Sequence, residues 1–127
     1  MNKVTSLQRQ EPARLDSGAI KLLENSLGAV RCREVVEEAC FVMIDKLAGL
    51  ELALHKADKN AAMALSKKLA TLSGQIGLAD FSRVATDLHM CLSRSDVVTQ
   101  KAIAARLMRL GEASLMTVLQ ITEDPYS

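Results

Sequence analysis

Few residues of this chain are of types that do chemistry, and their spacing sorts them. There are two histidines, His55 and His89, and three cysteines, Cys32, Cys40 and Cys91. A histidine can take up a proton or a phosphoryl group, and a cysteine thiolate can attack or bind a metal. The histidines stand far apart, and neither shares a close spacing with a cysteine pair. With no Cys-x-x-Cys either, no metal site is expected. An odd number of cysteines in that arrangement suits free, buried thiols in a reducing cytoplasm. Met1 to Pro12 has no apolar core region, so no secretory signal is expected. The remaining candidate is Lys67, in the stretch Leu65-Ser66-Lys67-Lys68-Leu69-Ala70-Thr71-Leu72-Ser73-Gly74-Gln75-Ile76-Gly77-Leu78. Leu65, Leu69, Leu72 and Ile76 follow steps of four, three and four and form one helical stripe. At ~100° per residue Lys67 lies roughly 160° from that stripe and points to solvent. Around it fall Ala64, Ala70, Thr71 and Gly74, all small. An ordinary exposed helix face carries many charges. One long cation among small side chains lets a partner's backbone come close; the plain alternative is an exposed face of low charge.

The elements that must position these residues are helices. The chain has 127 residues, 49% hydrophobic but only 2% aromatic, with no Trp. That is enough for one domain with an aliphatic core. Its two prolines, Pro12 and Pro125, lie near the ends, which suits long uninterrupted helices. A net charge of +1, with scattered basic residues, gives no field favouring nucleic acid or an anionic membrane. Aromatics that could stack on bases are nearly absent.

Residues 1–14 read as a loose arm. Asp16 is expected to cap a first short helix, with Leu15 and Ile20 as a staple, a stripe of Ile20, Leu23 and Leu27, and Gly28 as its stop. A second helix is expected from about Val30 to Lys56. Its seam is Val36, Cys40, Met43, Leu47, Leu50 and Leu54, and Gly49 inside it would allow close packing. Asp58 or Asn60 caps the helix of Lys67, which Gly77 ends. Asp80 is expected to cap the next helix, with Phe81, Val84, Leu88 and Cys91 inward. Ser95-Asp96 caps the last, with Ile103, Leu107 and Leu110 on one face. Gly111 marks a bend or a close contact, after which the pattern continues through Leu115, Val118 or Leu119, and Thr122. No strand pattern competes. The expected fold is all-α: an antiparallel up-down four-helix bundle over residues 15–123, with a short extra N-terminal helix and a tail at 124–127.

Over nearly this whole span, Leu15-Asp16 to about Ile121, the chain resembles the histidine phosphotransfer (HPt) domain of bacterial phosphorelays. In that family an Asp in a turn precedes a helix carrying Ala-His-x-Leu-Lys-Gly, and an apolar residue followed by Gly closes the helix. Here Asp58 matches the turn, Ser66-Lys67-Lys68-Leu69-Ala70-Thr71 the core motif, and Ser73-Gly74-Gln75-Ile76-Gly77-Leu78 its tail. Phe81, Val84, Ala85 and Leu88 match the apolar positions of the next helix. Three positions depart from the pattern. Lys67 stands where the family has its phosphoacceptor His, Ala70 where it usually has a phosphoryl-steadying Lys, and Thr71 where it usually has a Gly that admits the receiver domain.

The resemblance implies partners among response-regulator receiver domains or histidine kinases. It places their docking on Met63, Ala64, Lys67, Lys68, Ala70, Thr71 and Gly74. The transfer itself needs a neutral imidazole nitrogen. An exposed lysine, with a pKa of ~10.4, is protonated at neutral pH and has no lone pair to attack. Lys67 is therefore expected not to accept phosphate, and the chain is expected to act without a catalytic residue or cofactor, as a monomer or weak dimer. An ammonium would instead be attracted to the Asp-rich, Mg²⁺-binding pocket of a receiver. Two other readings stay open. In one, the bundle is purely structural or oligomerising, with Met43, Met63, Met90, Met108 and Met116 adapting to a partner. Alternatively His89, about as far beyond the Gly77 turn as Lys67 lies before it, takes the phosphate at nearly the same level. His55, beside Lys56 at a helix end, is expected to interact with the carbonyl end of that helix. No Gly-rich phosphate loop, Ser/His/Asp set or Glu-x-x-His pair points to an independent enzyme.

Overall fold

The structure, a computed structural model, describes residues 17–123. Five helices occur among them: α1 Ser17–Leu27, α2 Ala29–His55, α3 Lys59–Gln75, α4 Ala79–Ser93 and α5 Val97–Glu123. No strand occurs among the described residues. The expected arm, the Leu15–Asp16 start and the tail lie outside them.

Short turns join the helices, and local chemistry sets each one. Gly28, at φ 84°, separates α1 from α2. Asp58, rather than Asn60, caps α3, and its carboxylate accepts the Ala61 N–H at 3.2 Å. Gly77 follows the end of α3 with φ 82°. There the Leu78 N–H reaches the Ser73 carbonyl at 2.9 Å and the Gly77 N–H reaches that of Gly74 at 3.3 Å. These paired bonds satisfy the last carbonyls of the helix and reverse the chain. Ala57 (φ 56°) and Ser95 (φ 60°) take the same left-handed place after α2 and α4 without being glycine. Asp96 then caps α5, accepting the Thr99 N–H at 3.2 Å and the Thr99 hydroxyl at 2.6 Å. Those bonds hold the Asp96 carboxyl below its ordinary value.

Asp80 is a correction. The turn after α3 is so tight that α4 already begins at Ala79, behind the buried Leu78, which makes no side-chain cap. Asp80 falls inside the first turn, where a carboxylate suits the helix dipole, and it pairs with Arg83 at 3.4 Å.

Helix α3 packs on α2 and α4, α5 packs on α4 and α2, and α1 lies on α2. On α2 the buried line is Cys32, Val36, Cys40, Met43, Leu50 and Ala53, with Leu47 and Leu54 half-buried. Phe81, Val84, Leu88 and Cys91 of α4 are all buried, as are Leu107, Leu110, Leu115 and Val118 of α5. The line on α3 differs from the expected one: Ala62, Ser66, Leu69, Ser73 and Ile76 are buried, while Leu65 and Leu72 are only half-buried. The two serines tolerate burial because their hydroxyls donate to carbonyls four residues back, Ser66 to Ala62 at 2.7 Å and Ser73 to Leu69 at 2.6 Å. They put small groups where the core line would otherwise carry leucine-sized ones.

Gly49 leaves room for a side chain, since an added Cβ would stand 3.5 Å from Leu65 Cδ1, an ordinary contact. Gly111 does not. Helix α5 continues through it without a break, and the close contact explains it. A Cβ there would stand 2.8 Å from Phe81 Cε2 and 3.0 Å from Leu47 Cδ1.

Candidate functional site

Helices α3 and α4 carry the candidate docking face. Two cross-links set their register: Ser82 Oγ donates to the Ala70 carbonyl at 2.7 Å, and a His89 ring nitrogen, Nδ1, lies 2.9 Å from the Met63 carbonyl. As 82 rises to 89, 70 falls to 63, so the two helices run antiparallel. On α3, Ala64, Lys67, Thr71 and Gly74 are exposed, and Met63 and Ala70 are half-buried where the face meets α4. All six lie within about 60° of Lys67 around the helix. Lys68 is exposed but sits about 100° away, on the flank. The Thr71 hydroxyl is turned back onto the Lys67 carbonyl at 3.1 Å, which keeps it low on the surface. A Cβ on Gly74 would meet Ser82 Oγ at 3.4 Å, so the face is closely built there. The Lys67 ammonium makes no ion pair or hydrogen bond among the described residues.

On the half of this face that α4 supplies, the sequence alone pointed to His89 and missed Ser82 and Thr86. Thr86 is exposed and its hydroxyl folds back onto the Ser82 carbonyl at 3.0 Å. The signal that finds them is reflection through the Gly77 turn, with the register counted rather than assumed.

The level of His89 is a correction. It was expected opposite Lys67 but pairs with Met63, one helical turn or about 6 Å away. A carbonyl only accepts, so Nδ1 carries the proton and donates. The ring is half-buried. In its neutral form that leaves the lone pair on Nε2. His55 is exposed in the last turn of α2, and the helix's cap is Lys56, so any charge it carries sits at the carbonyl end.

All three cysteines are free and buried. Burial, and after it the negative charge of Glu37, pushes the Cys40 thiol up to about 11. In the unfolded chain the thiol ionises near its ordinary 9.0. The folded state therefore keeps this contribution in full below about pH 9 and loses it as pH rises through 11. Urea melts at pH 8 and at about pH 10.5 are expected to differ by ~2 kcal/mol more in the native chain than in Cys40→Ala. An equal pH dependence in both would show that Cys40 stays un-ionised in the unfolded chain or ionises freely in the folded one.

Among the described residues no group of three or more His, Cys, Asp or Glu side chains is placed to hold a metal ion. No described helix is long and apolar enough to cross a membrane.

No protein-family model, no curated protein and no solved structure matches the chain.

Proposed function

We propose that this chain is an HPt-like signalling module, an antiparallel up-down four-helix bundle with a short extra N-terminal helix, that binds without transferring phosphate. Its partner is a response-regulator receiver domain or a histidine kinase of a bacterial two-component phosphorelay, and it acts in the cytoplasm. The observation that carries the reading is Lys67: a free, exposed ammonium on a face built from Ala64, Ala70, Thr71 and Gly74, at the position where the resembled family carries its histidine. Such a face admits a partner closely, and its cation suits the acidic pocket of a receiver. An ammonium in water has no lone pair for phosphorus, so the same residue removes the chemistry. The test is a binding titration of the full chain against the receiver domains and kinases of its host. Saturable binding to one of them without any phosphoryl transfer supports the reading, and no binding to any of them defeats it.

A second reading is favoured by the His89 hydrogen bond. Holding Nδ1–H on the Met63 carbonyl fixes the ring and leaves Nε2 as the nucleophilic atom, the arrangement a phosphoacceptor needs. The two readings part in one assay with a radiolabelled phosphoryl receiver. Label that reaches the chain and disappears in His89→Gln establishes the second; no label at all leaves the binding module.

The outer face of α2 bears on the structural alternative. Phe41, Ile44 and Leu52 stand exposed along one stripe, with Phe41 at 64%. Light scattering that shows a stable dimer, lost in Phe41→Glu, would assign the chain an assembling role through this stripe.

A further inference from the structure

At the end of the molecule away from Gly77, the α2–α3 and α4–α5 turns border a cavity of about 330 Å³ that is open to solvent on one side. Its apolar wall comes from four helices: Ala53 and Leu54 of α2, Ala62 of α3, Leu92 of α4 and Ala104 of α5. The charged residues at it are Asp58, Lys59 and Lys101. They are not equivalent. The Asp58 carboxylate is already held by the Ala61 N–H of its own helix. Lys59 reaches across from α3, and its Nζ donates to Ser95 Oγ at 2.7 Å, leaving two more donors. Lys101 makes no ion pair or hydrogen bond among the described residues. The two left-handed residues, Ala57 and Ser95, also line the cavity. Both turns thus hold a backbone shape that glycine would adopt more cheaply, at the edge of this one space.

We propose that this cavity binds a small amphipathic carboxylate, with its alkyl chain against the alanine and leucine wall and its carboxylate between Lys59 and Lys101. Size and charge both select that class. The volume lies at the lower end of small-molecule sites and holds roughly ten water-sized groups at ~30 Å³ each. That is a chain of six to eight carbons with its headgroup. Ala53, Leu54, Ala62, Leu92 and Ala104 make the apolar wall, Ser95 and Gln100 are the uncharged polar side chains at the lining, and two lysines stand there against one engaged carboxylate. Lys59 stands eight residues before Lys67, about 12 Å along α3, so the cavity is separate from the docking face and the proposal does not rest on the phosphorelay reading.

The experiment is an amide NMR titration of the full chain with hexanoate, hexanamide and hexylamine. Hexanoate is expected to bind saturably in the millimolar range, shifting the amides of the Ala57–Lys59 and Ser95–Lys101 turns, while the amine does not bind. Lys59→Gln and Lys101→Gln are each expected to weaken hexanoate about fivefold, and the double variant to bind acid and amide alike. Ala104→Leu, at a half-buried position, fills the cavity and is expected to abolish the shifts with the melting midpoint kept. Absence of saturation up to tens of millimolar overturns the proposal. Hexylamine binding as well as hexanoate, or shifts centred on the outer stripe of α2, also overturns it.

Discussion

Gly111→Val is expected to lower the unfolding free energy by about 2–3 kcal/mol, with the m-value unchanged in a urea melt. Two effects compete at this position. Glycine inside a helix costs about 1 kcal/mol relative to alanine, so any side chain recovers part of that. Against it stands the space: a Cβ would lie 2.8 Å from Phe81 Cε2 and 3.0 Å from Leu47 Cδ1. Phe81 is fully buried, so its ring has nowhere to swing. Overpacking of this kind costs about 1–3 kcal/mol for a small insertion, and the branched methyls of valine add to it. Alanine is therefore expected to come out between neutral and about 2 kcal/mol destabilising. Phe81→Leu supplies the control, because it shortens the side chain that Gly111 faces. Combined with Gly111→Ala it should cost less than the sum of the two changes by at least ~0.5 kcal/mol, the mark of residues in contact. A Gly111→Val protein as stable as the native chain would mean that α4 and α5 separate freely, and the account of the core would fail.

Gly111 also shows where a sequence stops being legible. Its own neighbours leave a bend and a close contact equally open, because the deciding atom belongs to Phe81, thirty positions earlier and on another helix. Local signals read well for the same reason in reverse. Gly28, Asp58, Gly77 and Asp96 mark helix ends because the chemistry that stops or starts a helix lies within four residues of the end. Asp80 misleads because the backbone bonds made by Ile76, Gly77 and Leu78 use up the turn two residues sooner than its acidic side chain suggests. Ser66 and Ser73 escape a hydrophobic pattern altogether: only their bonds to the preceding turn make them core residues. The candidate face divides in the same way. Periodicity on α3 brings Lys67 to solvent, and it is exposed. The contribution of α4 depends on the register between helices, which the Ser82–Ala70 and His89–Met63 contacts set and composition does not.

If Lys67 anchors a receiver, Lys67→Glu is expected to weaken binding by thirtyfold or more. Losing one partner of a buried interfacial charge pair costs about 2–5 kcal/mol, and 2 kcal/mol is already roughly thirtyfold. Reversal adds repulsion from the acidic pocket to that loss. Lys21→Glu changes net charge identically on the exposed surface of α1 and should alter affinity by no more than about threefold, since a charge outside an interface contributes little. The pair thus separates a specific contact from a general field, which any basic residue would serve. Metal makes the contact sharper still. A receiver pocket that holds Mg²⁺ has part of its negative charge already neutralised, so the ammonium and the ion compete for the same carboxylates. Raising Mg²⁺ is expected to raise the Kd of the native chain and to leave that of Lys67→Gln nearly flat. Simple screening predicts something else: Na⁺ at matched ionic strength would weaken both proteins alike. Equal losses in Lys67→Glu and Lys21→Glu, or a Kd that ignores Mg²⁺, would place the partner somewhere other than the small-residue face of α3.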